Sequence, residues 1–259
     1  MTDKKPSLGL RIYAFLAYLY IYLPIIILVI FSFNTQKLNL HWEGFTFDWY
    51  IKLFNNQEVM AATQNTLIIA FVSTLAATVI GTMAALALQR YRFPGYLAAE
   101  STLYIPVIIP EVVLGIALLA FFSIIKFRLG LTSIILSHIA FSIPFVTLVV
   151  RARLHSFDKS IEEAAMDLGA NELVTFWRVT LPTILPGVLS GALLAFTLSL
   201  DDYVITYFTA GPGSTTLPLH IFSMVRFSVT PEINALSTLW VLVVFIVLAV
   251  GEIMQRRRI

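Results

Sequence analysis

The chain has 259 residues, of which 58% are hydrophobic and 12% are charged, and its formal net charge is +2. A soluble domain carries about 25% charged residues, so this composition excludes an ordinary soluble protein and indicates a polytopic membrane protein. The near-neutral charge argues against a nucleic-acid partner, and the absence of cysteine excludes disulfides, cysteine–metal sites and thiol catalysis.

Six apolar segments follow one another, each close to the ~20 residues that a helix needs to cross a bilayer. We predict spans at Tyr13–Phe33, Thr66–Leu88, Leu103–Ile125, Leu131–Val150, Thr183–Leu200 and Ala235–Gly251. The first is longer than the apolar core of a signal peptide, which has ~7–15 residues, so we expect a retained span. The sequence thus predicts an all-α integral membrane protein with one transmembrane domain over residues 1–259.

Basic residues divide unevenly between the two sides of this arrangement. One side, with both termini, carries Lys4, Lys5, Arg11, Arg90, Arg92, Arg151, Arg153, Lys159, Arg178, Arg256, Arg257 and Arg258. The other side carries Lys37, Lys52, Lys126, Arg128 and Arg226. Because cytoplasmic segments collect lysine and arginine, we expect both termini and the connection between the fourth and fifth spans to be cytoplasmic.

The first long loop on the opposite side, residues 34–65, carries several aromatic residues, among them Trp42, Trp49 and Tyr50. They fit an aromatic belt at the membrane interface or a short surface helix. A contact with a docking protein or ligand is the alternative.

Small residues recur every fourth position in the second and fifth spans. They are Ala77, Gly81 and Ala85, and then Gly187, Gly191, Ala195 and Ser199. Such strips let helices approach closely, either within this chain or against a second membrane subunit.

Residues 158–182, which we call the elbow, are charged and helix-prone although they lie between two apolar spans. Ile161–Leu168 has the pattern of a short helix, with Asp158 or Ser160 as its N-cap and acidic residues in its first turn. Gly169 can end that helix in the left-handed conformation.

Asn171 can cap a second short helix that runs to about Val179, and Pro182 fits the start of the fifth span, where its missing N–H costs little. The first helix would carry a small apolar ridge that includes Leu168. Because short helices are marginal in water, we expect the ridge to be buried, either by the helices of this chain or by a groove on a partner.

The elbow carries the sequence Glu163-Ala164-Ala165, then Gly169, Val179 and Leu181-Pro182, at a long and strict spacing. This pattern resembles the EAA motif of permease subunits of ABC importers, although the family has isoleucine where this chain has Val179. The resemblance implies the type I importer permease fold, with the elbow as a coupling helix docked on a cytoplasmic ATPase. The implied contact residues are Glu163, Ala164, Ala165, Leu168, Gly169 and Pro182.

Three further stretches are similar to the C-type permease subunits of spermidine/putrescine transporters. They are "YLYIYLPIIILVIFSFN", "GFTFDWYIKLFNN" and "FTLSLDDYVITYFTAGPGSTTLPLHIFSMVRFSVTPEINAL". The resemblance implies polyamine import across the bacterial plasma membrane, together with a second permease, an ATPase dimer that binds ATP and Mg²⁺, and an extracytoplasmic polyamine-binding protein. Permeases for ferric iron or thiamine share much of this pattern and are the alternative.

Glu111 lies inside the third predicted span, Asp201 and Asp202 close the fifth at its outer end, and the spans contain no lysine or arginine. Because a charge inside a bilayer is costly, such residues usually face a cavity or a partner, and an acidic pathway suits a cation. We therefore predict that Glu111, Asp201 and Asp202 line the pathway, with Tyr203 and Tyr104 as aromatic contacts. The alternatives are hydration of the aspartates at the interface, and a Glu111 that caps the half-helix after Pro110 or pairs with a neighbouring subunit.

The chain has no phosphate-binding loop of the G-x-x-x-x-G-K-[ST] type and no HExxH or G-x-S-x-G motif. We therefore expect no catalytic residues, no metal site and no bound cofactor, with ATP hydrolysis left to partner subunits. An ion-coupled secondary transporter is less favoured, because we find no inverted repeat. A membrane-embedded enzyme would need a catalytic cluster, and His138 is better interpreted as a hydrogen-bonded core residue.

Overall fold

The computed structural model describes residues 7–36, 41–226 and 230–256, which are mostly helical. Part of the orientation prediction rests on residues outside this described set, namely Lys4, Lys5, Lys37, Arg257 and Arg258. The chain forms two compact units. One contains the residues up to Met60 together with Ile221–Val243, and the other contains Ala61–His220 together with Val244–Ile259.

In chain order the helices are α1 (Leu8–Phe31), α2 (Asp48–Asn55), α3 (Gln57–Arg90), α4 (Tyr96–Ile108), α5 (Glu111–Ile124), α6 (Leu131–His155), α7 (Ser160–Asp167), α8 (Glu172–Thr175), α9 (Leu181–Asp201), α10 (Val204–Thr209), α11 (Leu217–Val225) and α12 (Pro231–Arg256). A π-turn, Phe176–Thr180, joins α8 to α9. Within the residues that the structure describes, five segments are long and apolar enough to cross a membrane: α1, α3, α6, the continuous stretch from α8 through α9, and α12. The bent pair α4–α5 counts as a sixth if its two helices form one crossing.

The third predicted span, Leu103–Ile125, is not one straight helix. It is divided between α4 and α5, and the chain bends by 116° from one helix to the next. Ile109 has φ −75° and ψ 144°, an extended conformation, because a residue that precedes proline is disfavoured in the α region. Pro110 is the N-cap of α5, so Glu111 occupies the first position of that helix, where a carboxylate interacts favourably with the helix dipole.

The small-residue strips pack inside the second unit. Ala77 and Ala195 have no exposed surface. A Cβ added to Gly81 would lie 2.8 Å from a side-chain atom of Val146 on α6, and one added to Gly191 would lie 3.2 Å from that side chain. Both strips therefore bring α3 and α9 close to α6, and the alternative of packing within this chain is confirmed for these glycines.

Gly211 lies where the backbone after α10 passes the connection between α5 and α6. A Cβ there would lie 2.1 Å from the carbonyl oxygen of Leu129. We expect Gly211→Ala to lower the free energy of unfolding by at least about 1–3 kcal/mol, the usual cost of overpacking, because backbone must move to make room. The neighbouring Gly130→Ala is the control, since Gly130 has extended φ and open space around its Cα. Thermal unfolding in detergent measures the difference, and equal midpoints for both variants would contradict the prediction.

In the first unit, the loop after α1 folds onto α2. The indole Nε1 of Trp49 donates to the carbonyl of Asn34 at 2.7 Å, and the hydroxyl of Tyr50 lies 2.6 Å from that of Ser32. Trp42 is 45% exposed and meets Phe31 edge-on. The predicted short helix in this loop is therefore present as α2, and it buries Trp49, whereas Trp42 lies outside it and is exposed.

Candidate functional site

The elbow begins with α7, close to the predicted range Ile161–Leu168, but the N-cap of this helix is Lys159, not the predicted Asp158 or Ser160, and it makes no side-chain capping hydrogen bond. Asp158 Oδ1 accepts a hydrogen bond from the backbone N–H of Ser160 at 2.9 Å, and this bond holds the pKa of Asp158 below its ordinary value. At the other end of α7, Gly169 has φ +91°, the left-handed conformation that the sequence predicts. The elbow therefore turns at a residue that adopts this conformation without strain.

The second half of the elbow differs from the prediction. Asn171 Oδ1 accepts the N–H of Val174 at 2.9 Å, as expected of an N-cap. The helix does not end near Val179, however, because it passes through the π-turn directly into α9. Pro182 follows this turn. Its ring would clash with the carbonyl four residues earlier in a regular α-helix, and the wider turn relieves that clash.

Most of the residues predicted to contact an ATPase lie in one short exposed segment. Glu163, Ala164 and Gly169 are exposed, and Ala165 is half-buried. Leu168 is apolar and yet 91% exposed. The helices of this chain therefore leave the apolar ridge uncovered, and an exposed apolar patch of this kind is typical of a protein contact. Pro182 lies apart from the segment, in the first turn of α9.

Glu162 has a different environment from that of Glu163, although the two are adjacent. Its Oε1 accepts hydrogen bonds from Arg90 Nη2 and from the hydroxyl of Thr180. Its side chain is only 13% exposed. From the sequence, Glu162 could be recognised only as one of the acidic residues in the first turn of the predicted helix. Arg90 is 72 residues away and could have been suspected as its partner only because both were predicted on the same side of the membrane.

The three predicted pathway acids come together from two distant parts of the chain. Asp201 is the last residue of α9 and Asp202 is its C-cap. Glu111, at the start of α5, interacts electrostatically with both aspartates. Glu111 and Asp201 are exposed, whereas Asp202 is 8% exposed. The cluster therefore presents two accessible carboxylates and one buried carboxylate.

Asp202 caps α10 from inside the second unit. Its carboxylate accepts the N–H of Ile205 at 3.2 Å and both the N–H and the hydroxyl of Thr206 at 2.8 Å. His138 Nε2 lies 3.2 Å from Oδ2, and because a carboxylate only accepts, Nε2 carries the hydrogen. Hydration of Asp202 at an interface is therefore wrong, since its oxygens are occupied by protein donors.

The other ring nitrogen of His138 extends this polar network. Nδ1 lies 2.7 Å from the hydroxyl of Ser199, which lies 3.1 Å from that of Ser73. A hydrogen-bonded chain thus crosses the interior from α3 through α9 and α6 to α10. The interpretation of His138 as a hydrogen-bonded core histidine is confirmed.

The two predicted tyrosines lie in different places. Tyr203 is half-buried beside Asp202, and its ring centroid is 5.7 Å from that of Tyr207. Tyr104 is 38% exposed on α4. Glu100, also on α4, forms an ion pair with Arg151 at 2.8 Å. Tyr203 is therefore the predicted tyrosine that adjoins Asp202 in the chain.

Comparison with known families decides what kind of protein has this arrangement. The family described as "Binding-protein-dependent transport system inner membrane component" matches residues 77–257. The chain belongs to this family. The matched region contains the elbow and all three clustered acids, so the predicted resemblance to importer permeases is confirmed, and the chain is a multi-pass inner membrane transport component.

Individual relatives agree with this assignment. The chain is 42% identical over 245 residues to the spermidine/putrescine transport system permease protein PotC of Haemophilus influenzae, covering 95% of each chain. It is 44% identical over 231 residues to the putrescine transport system permease protein PotI of Escherichia coli (strain K12), covering 86% of this chain and 82% of that one.

Solved structures show the fold. The permease superposes with a TM-score of 0.74 at 20% identity on a chain of a bacterial ABC transporter that imports the acidic polysaccharide alginate, over 96% of this chain and 94% of that one. It superposes on a chain of the MetNI methionine ABC transporter with a TM-score of 0.66 at 21% identity, over 79% and 99%. The predicted importer permease fold is therefore confirmed.

Proposed function

We propose that this permease forms part of the membrane pathway of an ATP-driven importer for polyamines such as spermidine and putrescine. The observation that carries the proposal is the identity of 42% to a spermidine/putrescine permease over 95% of both chains. A ferric iron or thiamine importer is the alternative. An ion-coupled secondary transporter is disfavoured, because the family is one of binding-protein-dependent systems.

The charge distribution supports a cationic solute. Glu111 and Asp201 are exposed carboxylates that interact electrostatically, and no lysine or arginine lies in the predicted spans. Two nearby acids attract an ammonium group, and Tyr203 could supply a cation–π contact of ~0.5–2 kcal/mol. We assign Asp202 a supporting role in this cluster, because its carboxylate is occupied by His138 and Thr206. Tyr104 remains a proposed pathway residue at another position.

The elbow carries the proposed contact with the ATPase, on α7 and the turn at Gly169. Both termini and the elbow would lie in the cytoplasm, as the basic residues predict. The residues that would enter a cleft on an ATPase dimer are the exposed ones: Glu163, Ala164, Leu168 and Gly169. Ala165 would lie at the edge of that cleft, and Pro182 would set the direction of α9. Closure of that dimer on ATP and Mg²⁺ would move the elbow and with it α9. The chain itself would bind no cofactor and catalyse no reaction.

The other partners follow from this scheme. A second, similar permease would complete the pathway, because a single chain with a bent third crossing need not enclose one. An extracytoplasmic polyamine-binding protein would deliver the solute, and lipid would surround the exposed apolar faces. Co-purification through a tag on this chain, followed by uptake of labelled spermidine into vesicles, tests the proposal. Spermidine-stimulated ATP hydrolysis supports it, whereas stimulation only by ferric iron or thiamine carriers would refute the polyamine assignment.

The pathway acids make a specific prediction. Removing either charge with Asp201→Asn or Glu111→Gln should reduce spermidine uptake about tenfold or more, since a hydrogen bond to a charged group is worth about 1.5–3 kcal/mol. Assembly should be unchanged, because both side chains are exposed. Glu58→Gln, at an exposed acid in the first turn of α3, is the control. If both pathway variants took up spermidine at the wild-type rate, Glu111 and Asp201 would not be part of the proposed pathway.

A further inference from the structure

Glu162 connects three elements that are separate in the sequence. Its Oε1 accepts hydrogen bonds from Arg90, the last residue of α3, and from Thr180, the last residue of the π-turn. Glu162 itself lies in the first turn of α7. One carboxylate oxygen therefore ties the first half of the elbow both to a crossing helix and to the junction that leads into α9.

The burial of these groups distinguishes this contact from an ordinary surface ion pair. Exposed pairs contribute little to stability, because water screens them and long side chains lose freedom. Here the side chain of Glu162 is 13% exposed and that of Arg90 is 30% exposed, while Thr180 has no exposed surface. Partial removal of water strengthens charge-assisted hydrogen bonds, and two donors on different elements fix the position of the carboxylate.

The space beside this contact would allow α7 to move if the contact were absent. A cleft of about 130 Å³ lies beside it, lined among others by Glu172, Thr175 and Phe176 of the elbow's second half. α7 also packs against α8 and the π-turn, and Gly169, with positive φ, forms the turn between the two halves of the elbow. Without the Glu162 contact, α7 could therefore shift into this cleft about the glycine turn and leave α3 and α9 where they are.

We propose that Glu162 is a positioning residue, which holds α7 to α3 and α9 so that a displacement of the elbow moves both crossing helices together. This inference rests on the proposed function, because it assumes that the elbow is the element that an ATPase moves. It assigns Glu162 a role distinct from that of the adjacent Glu163, which is exposed and available to a partner.

Hydrogen exchange tests the contact without requiring any transport. In the detergent-solubilised full chain, Glu162→Gln should speed exchange of the α7 amides by about tenfold, because a stabilising tie to two other elements is lost. Glu172→Gln, an exposed acid that lines the same cleft, is the matched control and should leave α7 unchanged. Equal α7 exchange in wild type and Glu162→Gln would overturn the inference.

Coupling is tested with the complete transporter in vesicles, as spermidine transported per ATP hydrolysed. Glu162→Gln should lower this ratio at least about fivefold while the ATPase still co-purifies, because hydrolysis continues and the elbow moves alone. Reversing both charges, in Arg90→Glu with Glu162→Arg, should restore part of the ratio, which a general folding defect would not. A wild-type ratio in Glu162→Gln, or loss of ATPase binding in that variant, would overturn the positioning role. If the wild-type transporter moves no spermidine but Glu162→Gln still speeds exchange of the α7 amides, the polyamine proposal fails and the proposed contact of Glu162 stands.

Discussion

Replacing Leu168 by aspartate should abolish ATP-driven uptake while leaving the chain folded. Leu168 is 91% exposed at the end of the elbow's first helix, so a polar side chain there meets no unfavourable environment in the isolated permease. In the proposed complex the same position is buried against an ATPase. Burying a leucine contributes about 1.5–3 kcal/mol, and a desolvated, unpaired carboxylate costs more, so binding should weaken at least about hundredfold.

Leu173→Asp is the matched control for this prediction. Leu173 is also apolar and 68% exposed, but it lies on α8, outside the residues assigned to the contact. Co-purification of the ATPase, with spermidine uptake measured on the same preparations, compares the two variants. Retention of the ATPase by Leu168→Asp would contradict the proposed docking segment, whereas equal loss in both variants would extend that segment across the turn at Gly169.

The local features of the elbow could be predicted from the sequence because they depend on single residues. Asn171 is an N-cap and Gly169 adopts positive φ, and both requirements are satisfied by neighbours a few positions away. The positions of the spans followed equally from runs of apolar residues, although their boundaries did not, since α3 begins at Gln57 and not at Thr66. The break at Pro110 was harder to predict, because a proline in a span either kinks a helix or ends it, and packing decides between these outcomes.

Contacts between distant residues could not be predicted in the same way. The partnership of Glu162 with Arg90 depends on how α3 and α7 meet, which no local pattern encodes. Asp201 and Asp202 looked equivalent because they are adjacent and both follow an apolar run. The chain leaves the helical conformation at Asp202, with ψ 121°, so α10 begins directly after it and Thr206 reaches the Asp202 carboxylate, which also contacts His138, whereas the side chain of Asp201 is exposed.

The consequence of that turn is the second prediction with a large effect. Asp202→Ala should strongly destabilise the permease, because the backbone N–H groups of Ile205 and Thr206 lose their acceptor and His138 Nε2 keeps only the hydroxyl of Thr206. Each buried donor left without its acceptor costs about 1–3 kcal/mol, and together they correspond to a fall in Tm on the order of 10 °C. Asp201→Ala should leave Tm nearly unchanged, since that carboxylate is exposed, and should reduce spermidine uptake instead.

A double variant separates the loss of the pair from a general defect at this position. When His138→Leu is added to Asp202→Ala, the contact between the two residues is already lost, so the double variant should lose less stability than the sum of the two single variants. Additive losses would show instead that the two residues contribute independently. If Asp202→Ala melted like wild type and lost only uptake, Asp202 would be a pathway residue like Asp201, and the buried network would not be what holds α10 against α6.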